Sequence, residues 1–145
     1  MQRVAEARVA VGDEVVGQIG HGLCVLLGVG AGDAEADADA LCRKIVGLRV
    51  FEDDDGRFAR SLEDVGGSLL VVSQFTLYGD CRAGRRPSFT AAAPAPRAEA
   101  LYERFVARAH AGTAVVATGR FGARMQLALV NDGPVTLLLD TGGAL

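Results

Sequence analysis

A side-chain nucleophile needs a base within reach, and this chain offers few such pairings. Its two histidines are His21, in the tight stretch IGHGL, and His110, in the last turn of a helical pattern where it suits the helix dipole. Neither lies in a recognisable catalytic constellation, and there is no G-x-S-x-G elbow, P-loop or H-E-x-x-H. The acidic run at 52–55 imitates part of a cation site, but DDDG with nothing to complete the coordination reads as a turn. The stretch that stands out is LLVVSQFTLYGD, residues 69–80. Four apolar residues lead into Ser73, Gln74, Phe75 and Thr76. As a strand it puts Ser73, Phe75 and Leu77 on one face and Gln74, Thr76 and Tyr78 on the other. It is either a buried strand turning polar at the surface or a strand end of the kind where open sheets bind ligands. A second stretch, VNDGPVTLLLD at 130–140, has a hairpin signal in Asp-Gly between apolar runs. Pro134 cannot donate to a sheet ladder, so its tip is either a plain turn or a protrusion.

The elements that must position these residues follow from periodicity. Gln2–Val11 and Glu14–Ile19 are valine-rich strands around a Gly12-Asp13 turn. Residues 23–29 form a continuous apolar run, the pattern of a buried strand. Asp33 is placed to cap a helix running to about Gly47, with Ala38, Leu41, Ile45 and Leu48 as its apolar stripe. A strand is expected at 48–52, a turn at 53–56 and the strongest strand at 68–78. A long irregular stretch spans 79–96, a length usually reserved for function or disorder. Pro96 opens a second helix, with Leu101, Phe105 and Ala109 on one face and Gly112 as its stop. Strands are expected at 113–118, 125–130 and 135–140. The order gives an α/β fold: one domain over 1–145, with a mixed sheet and two main helices.

With 145 residues, half of them hydrophobic and 23% charged, the composition is that of a folded, soluble domain. No apolar run reaches the roughly 18 residues of a membrane span, and the start lacks the apolar core of a secretory signal; the expectation is a cytoplasmic protein without membrane association. Cys24 and Cys42 read as core thiols. An odd count of three cysteines with no C-x-x-C argues against a disulfide framework and against zinc, so neither metal nor cofactor is expected. Charge is uneven. Residues 1–79 carry seven basic and thirteen acidic side chains, while 80–125 carry eight basic and three acidic. An anionic partner would meet this middle block first, around Arg82, Arg85 and Arg86.

The stretches SQFTL at 73–77 and NDGPVT at 131–136 resemble the two signature motifs of the D-aminoacyl-tRNA deacylases. The likeness extends to QRV at 2–4, GLCVLLGV at 22–29, RPSF at 86–89, AEALYERFV at 98–106 and TGRFGARM at 118–125. The chain departs from the family's pattern at Phe58-Ala59, where Met-Asn is common, and at Arg124, where an acidic residue is common. Met1 also stands directly before QRV.

The resemblance implies a homodimer with a barrel-like β core that hydrolyses the ester joining a D-amino acid to the 3′ adenosine of tRNA and also clears mischarged glycine. It implies a pocket built from Ser73, Gln74, Phe75 and Thr76 and lined by Phe121 and Met125. It further implies a cis Gly133-Pro134 tip, held by Arg3, that enters the partner subunit's pocket. Catalysis would draw on the 2′-hydroxyl of the substrate, which accounts for the missing base. Two other readings stay open: a relative on the same fold that corrects misplaced L-residues, and a dimeric RNA-binding module without catalysis.

Overall fold

The structure is a computed structural model and describes residues 1–113 and 115–143. Strands β1 (Gln2–Val11) and β2 (Glu14–Ile19) form the expected hairpin, with Gly12 at φ +58° in its turn. Strand β3 (Gly22–Leu27) continues it. The pairings Val9↔Gly17, Ala7↔Ile19, Val4↔Gly22 and Gln2↔Cys24 keep one register, so β2 and β3 together are a single bent partner of β1. Next in the chain are helix α1 (Glu35–Gly47), a small antiparallel ribbon of β4 (Phe51–Glu52) and β5 (Phe58–Arg60), and strand β6 (Ser68–Ser73), parallel to β3. Helix α2 (Ala95–Gly112) then crosses to β7 (Val116–Thr118), parallel to β6, and β8 (Gln126–Thr136) lies antiparallel along β1. The sheet curls until β2 meets β7. A Cβ on Gly17 would stand 2.4 Å from the Thr118 carbonyl oxygen, so glycine is what permits this closure. The result is the expected mixed, barrel-like sheet with two helices.

The unbroken apolar runs of β3 and β6 have a simple cause. Both faces of these strands are covered. Leu23, Val25, Leu69 and Val71 pack under Ile45 of α1 and Phe105 of α2, while Cys24, Leu70 and Val72 face Val4, Ala7 and Val9 inside the curled sheet. Burial pushes the Cys24 thiol up to about 11 and raises Cys42 as well, consistent with core thiols.

Several expected boundaries move. Asp33 does not cap α1. Asp37 does, its Oδ2 accepting the Ala34 N–H at 2.9 Å, and Asp33 instead accepts the Gly30 N–H at 2.7 Å. The strand expected at 23–29 ends at Leu27, and that at 48–52 shrinks to Phe51–Glu52. The acidic run folds as a turn because Asp53 Oδ1 accepts the N–H groups of Asp55 and Arg57, both at 2.9 Å. The strand expected at 113–118 is Val116–Thr118, with Ala114 outside the described residues. The two strands expected at 125–130 and 135–140 are one strand, β8, interrupted by a bulge and ending at Thr136. Among the described residues no helix is long and apolar enough to cross a membrane.

The helices are joined by charge. Asp39 of α1 accepts from Arg104 Nε and Nη2 at 2.9 and 2.8 Å, and from Arg108 Nε at 3.1 Å. These guanidinium bonds hold the Asp39 carboxyl down to about 2. A carboxylate depressed in the folded state stabilises it above the unfolded value of about 3.9 and loses that contribution as pH falls through the folded value. Asp39→Asn should therefore lower the thermal midpoint at pH 7. The gap to wild type should narrow below about pH 4 and close near pH 2 in a melting series.

Candidate active site

Three parallel strands set the location. At the carboxyl ends of β3, β6 and β7 lie Gly28–Gly30, Ser73–Gln74 and the loop from Gly119 to Met125, the end of parallel strands at which α/β sheets tend to hold ligands. The strand expected through 68–78 stops at Ser73, which pairs with Leu27. Gln74 still donates its N–H to the Leu27 carbonyl at 2.8 Å, and then Phe75–Tyr78 wind into a 3₁₀ turn. The alternation of faces expected for Ser73 to Tyr78 therefore does not occur. The turn instead packs Tyr78 onto Gly28 and Gly30, where a Cβ on Gly30 would meet the phenol oxygen at 2.7 Å.

This change of direction makes the site. Gln74 Nε2 donates to Thr76 Oγ1 at 2.9 Å, on an exposed face. The Thr76 hydroxyl accepts that bond, which leaves its own proton available for donation to another group. Phe75 is 56% exposed and stands edge-on to Phe89 with ring centroids 5.1 Å apart. Phe89 belongs to the RPSF stretch and roots a flap closed by reciprocal backbone bonds between Asp80 and Ser88, at 2.7 and 3.0 Å. On that flap Arg82 is tied down, its Nε and Nη2 donating to Asp80 at 2.9 and 2.7 Å; this pairing holds the Asp80 carboxyl well below its usual range. Arg85 and Arg86 are exposed and make no ion pair among the described residues.

Phe121 and Met125 come to the same end of the sheet. The ring of Phe121 lies 5.9 Å from that of Tyr102, whose hydroxyl donates to the Val71 carbonyl at 2.9 Å. The Met125 thioether would touch a Cβ on Gly119, beside Val72. Both are half-buried. The histidines stay apart from this region: His21 is edge-on to Phe51 at 5.2 Å, and His110 is exposed on the last turn of α2.

Gly133-Pro134 is not brought to Ser73–Thr76 within the chain. The step from Val4 to Gln2 along β1 is matched on β8 by the step from Asn131 to Thr136, so the intervening residues bulge out. The bulge lies level with Arg3, hence with Leu23 and Leu69, while Ser73 is four residues further along β6, about 13 Å at strand rise. The bulge is cinched at its base. Asn131 Oδ1 accepts the Val135 N–H at 2.8 Å and its Nδ2 donates to Thr136 Oγ1 at 2.9 Å. Arg3, 5% exposed, donates from Nε to the Asp132 carbonyl at 3.0 Å and from Nη1 to the Val50 carbonyl at 2.9 Å. The Gly133-Pro134 peptide is cis.

Sequence reasoning missed the roles of Tyr78, Asn131 and Phe89. The two glycines of LLGVG, spaced to admit a ring, were the available signal for Tyr78. Among the described residues no group of three or more His, Cys, Asp or Glu is placed to hold a metal ion.

The fold and site define a small mixed α/β protein that offers oriented hydroxyl, amide and aromatic groups at the ends of parallel strands. The family described as D-Tyr-tRNA(Tyr) deacylase matches residues 1–140. A D-aminoacyl-tRNA deacylase of Roseiflexus sp. (strain RS-1) is 59% identical over 97% of this chain and 91% of its own, and one from Thermotoga petrophila is 55% identical over 97% and 95%. A solved structure described as c-Myc DNA Unwinding Element Binding Protein superposes with a TM-score of 0.91 at 40% identity, covering 97% of this chain and 95% of that one. The chain belongs to the D-aminoacyl-tRNA deacylase family.

Gly133 has φ +134°, and a Cβ there would lie 2.8 Å from Val135 Cγ2 and 3.1 Å from Arg3 Nη2. Gly133→Ala should cost about 1–3 kcal/mol of stability, measured as the shift of the denaturant midpoint.

Proposed function

We propose that the protein hydrolyses the ester of D-aminoacyl-tRNA, and of glycine mischarged on tRNA, releasing free amino acid and tRNA, and that it works as a homodimer in the cytoplasm without a metal or organic cofactor. The observation that carries the reading is the Gln74–Thr76 pair: a hydroxyl whose proton is left available for donation, with neither histidine beside it to make it a nucleophile. Such a site orients and does not attack. An aminoacyl ester is already activated, and the vicinal 2′-hydroxyl of the terminal adenosine can assist water in reaching the carbonyl carbon. Orientation of that kind is worth effective molarities of roughly 10⁵–10⁸ M. The N–H groups of Phe75 and Thr76 open the 3₁₀ turn, where such groups lack carbonyl partners within the turn, and are candidates to stabilise the developing oxyanion. Phe121 and Met125 would flank the 3′ end.

In the same proposal the Gly133-Pro134 tip of one subunit completes the site of the other. Two observations support this. The tip lies at a different level of the sheet from its own Ser73, and the surface beside the motif is apolar. Leu77 and Leu138 are 51% and 72% exposed and border a cleft of about 410 Å³ lined also by Leu26 and Tyr78. A rigid tip beside the α-carbon would clash with an L side chain and tolerate hydrogen there, which admits D-residues and glycine. Arg85 and Arg86, free of carboxylates, would meet the tRNA phosphates; Arg82, clasped by Asp80, would contribute less.

Hydrolysis of matched D-, L- and glycyl-tRNAs tests the reading. D and glycine should react and L should not, and Pro134→Gly should lower the D-to-L ratio by widening the tip. A wild-type protein that binds all three and hydrolyses none would make it an RNA-binding module instead.

Mechanism is tested separately. Thr76→Ala should slow D-deacylation by about tenfold or less, the worth of one neutral hydrogen bond. A terminal 2′-deoxyadenosine should cost about 10²–10⁴. The opposite order would assign the attack to Thr76.

Charge reversal at Arg85 and Arg86 should weaken binding alike for every aminoacyl group. It should also flatten the slope of log affinity against log salt by about 0.7 per lost phosphate contact.

A further inference from the structure

The small β4–β5 ribbon is a two-stranded sheet of its own, separate from the main sheet. Its register pairs Glu52 with Phe58. That pair brings two side chains onto one target: Glu52 Oε1 lies 3.4 Å from Arg3 Nη2, and the Phe58 ring lies against the Arg3 guanidinium with its centroid 5.6 Å from Cζ. Val50, just before β4, adds its carbonyl to Arg3 Nη1 at 2.9 Å. The guanidinium is thus bonded by Val50, Glu52 and the Asp132 carbonyl, while its carbon stands over the face of an aromatic ring. The same group is against the tip, since a Cβ on Gly133 would be 3.1 Å from Nη2.

Phe58 itself is 53% exposed and belongs to none of the buried clusters. A half-solvated phenylalanine contributes little to the core, so its placement over Arg3 calls for another reason. We propose that Phe58 is a positioning residue for stereochemical discrimination: its ring locks the Arg3 guanidinium, and through it the Gly133-Pro134 tip. This rests on the reading that the tip rejects L-residues. A guanidinium free to slide from its plane would let the Asp132 carbonyl, and the tip with it, shift toward solvent, and the steric rejection would soften while the hydroxyl and amide groups at Ser73–Thr76 stay in place.

The experiment compares Phe58→Ala, Phe58→Leu and Phe58→Tyr in the full-length protein. The D-to-L hydrolysis ratio should fall about two- to fivefold in the alanine and leucine variants, the scale of an exposed cation–π contact. It should stay at the wild-type value in the tyrosine variant, which keeps the ring. Hydrogen exchange at the Arg3 Nε–H, read by NMR, should quicken in the alanine and leucine variants and not in the tyrosine variant, a readout independent of activity. In an Arg3→Lys background the alanine change should have no further effect on the ratio, because the stacked plane is gone. A wild-type ratio and unchanged Arg3 exchange in Phe58→Leu would overturn the proposal. A ratio that is unmoved in Phe58→Ala yet lowered in Pro134→Gly would overturn it while leaving the tip's role intact. A ratio unmoved in both would remove the tip reading itself.

Discussion

A guanidinium buried to 5% exposure has to be satisfied on every side, and much of this structure is arranged around that demand. Arg3 sits on β1 beside Val4, whose side chain enters the curled sheet, so alternation along the strand sends Arg3 to the other face. There it needs acceptors. A carbonyl comes from Val50, a carboxylate from Glu52 and a second carbonyl from Asp132 in the β8 bulge. One cation therefore ties the first strand, the β4–β5 ribbon and the last strand together. The bulge that presents Gly133-Pro134 is held from below by Arg3 and across its base by Asn131. The three elements are distant in sequence, and no local preference would assemble them.

The opposite end of the sheet works on a different principle. There the parallel strands β3, β6 and β7 stop together, and each gives way to compact backbone rather than to charge. Glycines at 28 and 30 admit the Tyr78 ring, and this lets the chain turn at Gln74 and expose Thr76 and Phe75. The chemistry on offer is orientation: an amide that fixes a hydroxyl, an edge-stacked pair of phenylalanines, and a thioether and a ring from the Gly119–Met125 loop. Under the proposed function, such groups would serve a substrate that brings its own reactive hydroxyl. The cations Arg82, Arg85 and Arg86 lie outside it, on the flap between Asp80 and Ser88, where the proposed function has them meet phosphates.

Much of the fold was legible in the residues. The β1–β2 hairpin has the boundaries its valines and Gly12-Asp13 indicate, and α2 buries Leu101, Phe105 and Ala109 as its spacing requires. The continuous apolar runs of β3 and β6 marked strands covered on both faces. Failures occurred where a tertiary contact outweighed local preference. SQFTL alternates well enough for a strand, but its strand ladder ends where β3 ends, and Tyr78 gains more by packing on Gly28 and Gly30. The Asn-Asp-Gly-Pro tip has hairpin chemistry. It became a bulge because β1 pairs with residues on both sides of it, so the chain does not reverse.

By itself the sequence determined most of the element types, the two-sided burial of the central strands, the uneven charge and the two motifs on which membership of the family could be recognised. These depend on periodicity, composition and short contiguous patterns. Only the tertiary structure decided that Arg3, Glu52, Phe58 and Asp132 surround one another, that Thr76 is held by Gln74, and that the Gly133-Pro134 tip stands at a level remote from its own Ser73. The reason is physical: strand register and the curl of the sheet fix which side chains meet, and register is a property of paired segments that no single stretch of sequence carries.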